Sequence, residues 1–105
     1  MIINLHRLAS KEARQAIARY FRIRENLGIH LRQKLLDALD AIQRRPQQFP
    51  LTQHTIIGRE TRERVVARFP YAVVYELRVD EVFVLAVAHH NRSPGYWSRR
   101  NRANS

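Results

Sequence analysis

Two dense apolar runs, YAVVYELRV (71–79) and EVFVLAVAHH (81–90), are parted by the single residue Asp80. Their Val, Tyr, Phe and Leu content favours strands. So short a separator allows only antiparallel neighbours, because a parallel pair needs a crossover of about a dozen residues or more. The second run is apolar at both alternating positions, which predicts a strand buried on both faces in the middle of a sheet. RERVVARF (62–69), closed by Pro70, reads as a third strand joined in the same meander.

Before Pro50 the period is helical. Ile2–Leu8 reads as a short first strand, at a sheet edge open to strand pairing. Ser10 is placed to cap a helix whose stripe is Ala13, Ile17, Tyr20, Phe21 and Arg24. ENLG (25–28) reads as its end, with Gly28 free to turn left-handed. A second helix carries Leu31, Leu35, Ala38, Leu39 and Ile42, and Pro46 and Pro50 bar its continuation. Two amphipathic helices so closely linked form an antiparallel hairpin. The order predicts one two-layer α+β domain over residues 1–98, the hairpin packed on an antiparallel sheet of three to four strands. Residues 99–105 read as a loose basic tail.

Charge narrows the partner. The formal net charge is +10, from 19 basic and 9 acidic residues, and only Lys11 and Lys34 among the basic ones are not arginine. That balance favours a polyanion, nucleic acid or an acidic protein, and guanidinium groups grip phosphate or carboxylate with paired hydrogen bonds. There is no cysteine, hence no thiolate metal site. His6, His30 and His54 are scattered without ligand spacing, and three glycines make no phosphate loop, so no metal or cofactor is expected. No secretory signal or membrane-spanning run is visible, and the expected location is the cytoplasm, with no membrane partner.

Leu27-Gly28, Pro46 with Phe49-Pro50, Arg68-Phe69-Pro70-Tyr71 with Tyr75, and Ala88-His89-His90 followed by Arg92, Pro94, Tyr96 and Trp97 together resemble the RelE/ParE superfamily of bacterial type II toxins. The likeness covers roughly residues 10–98. It implies a growth-inhibiting toxin held by a small antitoxin, usually acidic and partly disordered. It also implies one of two modes: ParE-like poisoning of DNA gyrase by binding, or RelE-like cleavage of mRNA on the ribosome.

On the RelE-like pattern the catalytic groups are Tyr96, His90 and Arg64. The groups expected to touch target or nucleic acid are Arg62, Arg68, His89, Arg92 and Trp97. Alternation places Arg62, Arg64 and Arg68 on one strand face, while the adjacent His89 and His90 point to opposite faces. Tyr71 and Tyr75 share a face and read as core, and Trp97 reads first as a packing residue and second as a stacking surface. The mRNA-cleaving members carry a basic residue after the tyrosine that begins the third strand. Here that residue is Ala72, which tilts the reading towards binding rather than cleavage, with a non-toxic nucleic-acid-binding domain as a remote third reading.

Overall fold

The computed structural model describes residues 1–105. In chain order the elements are β1 (Ile2–Leu5), α1 (Arg7–Ile23), α2 (Glu25–Arg44), β2 (Glu60–Val65), β3 (Tyr71–Leu77) and β4 (Glu81–His89), with a final 3₁₀ turn at Arg102–Asn104. The sheet order is β1-β4-β3-β2. β2, β3 and β4 form the expected antiparallel meander, and β4 is central and buried from Glu81 to Val87. β1 occupies the edge but runs parallel to β4, Ile2 opposite Glu81 and Leu5 opposite Val84. The sheet is therefore mixed, because the two helices supply the long crossover that a parallel neighbour requires.

α1 begins at Arg7 rather than after Ser10. His6 is the cap: its Nδ1 accepts the Leu8 N–H at 3.1 Å, so its Nε2 carries the proton and donates to Asn104 Oδ1 at 2.8 Å. The break between helices falls at Arg24, whose extended backbone (φ −164°, ψ 131°) ends α1 and starts α2. Gly28 lies buried inside α2, not at a left-handed cap, and a Cβ there would overlap the Phe21 ring. Close approach of the helices sets that position.

One core lies between helices and sheet. Ala9, Ala16, Leu31, Leu35, Ala38 and Ile42 meet Tyr71, Val73, Tyr75, Val82, Val84 and Val87. Leu31 and Ile42 are fully buried, and truncating either to alanine costs about 2–5 kcal/mol. A second core covers the other sheet face, where Val74, Phe83, Leu85 and Ala86 pack under Trp97. A bulge makes both cores compatible. Val74 pairs with Ala86 but Tyr75 with Val84, so Leu85 is an extra residue in β4 and the alternation is reset for Val87.

Residues 99–105 are anchored, not loose. Arg59 donates to the Ser98 and Arg100 carbonyls at 3.0 and 2.8 Å while paired with Glu76 at 2.7 Å. Arg100 grips Glu12 at 2.9 Å, and Arg102 grips Glu81 at 2.7 Å.

Candidate functional site

β4 outlasts β1. The backbone N–H of His6 bonds the Val84 carbonyl at 2.8 Å, and beyond that point the β4 edge has no strand neighbour. Buried backbone groups left without partners are costly, and α1 with the C-terminal segment supplies them. Glu12 Oε1 accepts the Val87 N–H at 3.0 Å, and Arg100 donates to the Leu85 carbonyl at 3.0 Å. The same carboxylate is clasped by both Arg100 terminal nitrogens at 2.9 Å each and accepts the Tyr96 hydroxyl at 2.8 Å on Oε2.

Tyr96 is therefore built into the edge repair of the sheet. Burial first, and then donation to the Glu12 carboxylate, push its phenol well above the ordinary value of 10. It is held as a neutral donor to Glu12. The Arg92 guanidinium lies over its ring, 3.9 Å from the centroid.

A cleft of about 250 Å³ opens beside Tyr96 on the sheet face away from the helices. His54, His89, His90 and Arg92 line it, Ala72 and Ala88 belong to its β3 and β4 side, and Glu63 is its one carboxylate. Tyr96, His89, His90, Arg92 and Trp97 all border this cleft, and it takes in both histidines although strand alternation assigns them to opposite faces. The three arginines of 62–68 do not join them. Arg62 and Arg64 pair across the strand with the core residues Tyr75 and Val73, which turns them towards the helices. Arg62 is occupied with the Gln47 and Phe49 carbonyls at 3.2 and 2.6 Å and with Glu60 at 2.7 Å. Arg64 packs on the Phe49 ring at 5.1 Å, its Nε buried without a partner. Arg68 lies past β2 in a left-handed turn (φ 71°), so strand alternation does not govern it.

Other members divide by burial. Trp97 is 4% exposed and meets His54 edge-on at 5.9 Å, so it walls the cleft and presents no face for stacking. His89 lies edge-on to Tyr71 at 5.1 Å and accepts the Asn91 N–H at 3.0 Å on Nδ1. His90 is exposed. Tyr71 and Tyr75 are core, as their shared face implied. Four contributors escaped the sequence reading: Glu12, Arg100, Glu63 and His54. Glu12 carried a signal, since it is the one acid of α1 and falls among Ala9, Ala13 and Ala16 on the apolar side.

Among known proteins, the model of the family described as "ParE toxin of type II toxin-antitoxin system, parDE" matches residues 3–94. A solved structure titled "Chromosomal ParDE TA system from P. aeruginosa" shares the fold with a TM-score of 0.70 over 85% of this chain and 95% of that one, at 14% sequence identity. No curated protein matches the chain. The family match takes in both helices, β2, β3 and β4, and β1 from its second residue. This chain belongs to the ParE toxin family of type II toxin–antitoxin systems.

Proposed function

We propose that the chain arrests bacterial growth by binding an essential target, DNA gyrase in the first place, and that a cognate acidic antitoxin segment silences it. The observation that carries the reading is the state of Tyr96. Cleavage of RNA by its own 2′-hydroxyl needs a base, an acid and cations around the developing phosphorane charge. Tyr96 already donates to Glu12, and burial with that bond keeps it from ionising. Ala72 puts a methyl group where a cation is needed, and the cleft's acid, Glu63, would repel an incoming phosphate. Loss of one positioned donor at such a site costs about 3–4 kcal/mol of transition-state stabilisation.

The antitoxin reading rests on charge and on exposed apolar surface. Phe21, Ile23 and Ile29 are 40%, 66% and 48% exposed around the turn between α1 and α2, beside Arg22 and Arg24. An acidic segment folding as an amphipathic helix gains both apolar burial and charge complementarity there. RelE-like cleavage is the second reading, kept by the convergence of His89, His90 and Arg92 on one cleft.

The test is purified protein incubated with gyrase and supercoiled plasmid. Linear DNA should accumulate after protein removal, and the product of a neighbouring short acidic gene should abolish it. Unimpeded growth at verified expression of the intact protein would overturn the toxin reading. Growth arrest without gyrase-linked breaks would overturn the target.

A further inference from the structure

α1 holds five basic residues, Arg7, Lys11, Arg14, Arg19 and Arg22, and one acid, Glu12, which turns inward. Its first turn has no acidic residue and begins with Arg7. A cation there opposes the positive end of the helix dipole, so helix stability does not account for the placement. The C-terminal segment adds to it. Arg59, Arg100 and Arg102 are spent on Glu76, Glu12 and Glu81 and fasten the segment against the sheet. Arg92 and Arg99, exposed and without acidic partners, are thereby carried to α1.

Arg7, Arg92 and Arg99 line one cleft, and Arg19 and Arg92 line the adjoining one, with Tyr96 common to both. The two clefts form a groove along α1 between Arg7 and Arg19, roughly 18 Å of helix. Glu12 is the sole acid lining it, and its oxygens are filled by Arg100, Tyr96 and the Val87 N–H. Four cations remain without a counter-charge.

We infer that this groove holds the sugar–phosphate backbone of a nucleic acid. Carboxylates of an acidic peptide share the sign, but a segment that folds on binding needs apolar anchors. The exposed large apolar side chains of the helices, Phe21, Ile23, Ile29 and Leu36, lie outside both clefts. Guanidinium groups in a row with few apolar neighbours suit successive phosphates, gripped without regard to base sequence. The inference is independent of which target the toxin stops, because it concerns binding by the purified chain alone.

The experiment is fluorescence anisotropy with a labelled 20-base-pair DNA duplex, and a single strand of the same length, across a salt series. Four phosphate contacts predict a slope of log affinity against log salt of about −3.6 for the duplex. Arg7→Gln/Arg92→Gln/Arg99→Gln flattens it to about −0.9. Arg24→Gln/Arg32→Gln/Arg45→Gln removes the same charge from exposed positions outside the groove and keeps the steep slope. Circular dichroism confirms that both variants are folded. Equal flattening by the second variant overturns the inference, since net charge alone then explains binding. So does the absence of binding to either DNA, and so does polyglutamate held in the groove in preference to both.

Discussion

Glu12→Gln is the perturbation that most sharply examines how the C-terminal segment is fastened. The carboxylate takes four hydrogen bonds from Val87, Tyr96 and Arg100, and the side chains of Glu12 and Arg100 are only 14% and 13% exposed. The amide removes the charge and puts a donor where one of the two oxygens faced donors only. Arg100 keeps the Leu85 carbonyl but loses its counter-charge. Breaking a buried pair from one side costs about 3–5 kcal/mol, and residual exposure sets the value here near 3. In a chain of this size that lowers Tm by about 12 °C. Urea unfolding of Glu12→Gln, Arg100→Met and the double variant closes the cycle, with a coupling of about 2–3 kcal/mol expected. In the same variant the Tyr96 phenol should titrate lower, as seen by its ultraviolet absorbance, because the neighbouring charge that raises it is gone. Single variants within about 0.5 kcal/mol of wild type, or strictly additive ones, would refute the claim that this pair anchors the segment.

Gly28→Ala should destabilise by about 1–3 kcal/mol despite alanine's better helix propensity, and shortening Phe21 to alanine in the same chain should recover part of it, both read from urea midpoints. Burial pushes Tyr75 up to about 12, so the folded state holds that proton more tightly than the unfolded chain. Its contribution is then intact below about pH 10 and is lost as pH rises from there towards 12. Tyr75→Phe should remove that share of the alkaline loss, leaving those of Tyr71 and Tyr96, at a neutral-pH cost of about 1 kcal/mol for the abandoned Pro46 carbonyl. The Asn4 hydrogen bond, joined by Arg102, holds Glu81 below its ordinary 4.5, so its contribution is present above that pH and lost as pH falls below it. Denaturant midpoints between pH 7 and 3 should flatten in Glu81→Gln.

The strands and helices were legible because each records its period locally. The Tyr71–His89 hairpin follows from a short separator, and the α2 stripe of Leu31, Leu35, Ala38 and Ile42 is the buried face as read. What escaped depends on partners far along the chain. The β1 direction is decided by pairing with residues 81–84, and the need for glycine at 28 by a ring on the preceding helix. The cap of α1 escaped because His6 is no usual capping residue, whereas Ser10 is. A tail rich in Arg, Asn and Ser has no period to read, yet it is fastened through Glu12, Glu76 and Glu81, acids to which the sequence reading gave no role. Arg62 and Arg64 were read on the correct face relative to each other, but the side on which that face lies is fixed only when β3 packs under the helices. Membership of the toxin family was legible; the bond that occupies the Tyr96 hydroxyl was not, because its partner Glu12 is 84 residues away.

Mapping mRNA 5′ ends in cells minutes after induction of the wild-type protein tests the central claim, action by binding without cleavage, most directly. The account predicts growth arrest with transcript ends indistinguishable from those of uninduced cells, and arrest preserved in His90→Ala. Codon-phased cuts within coding regions that disappear in His90→Ala would contradict it.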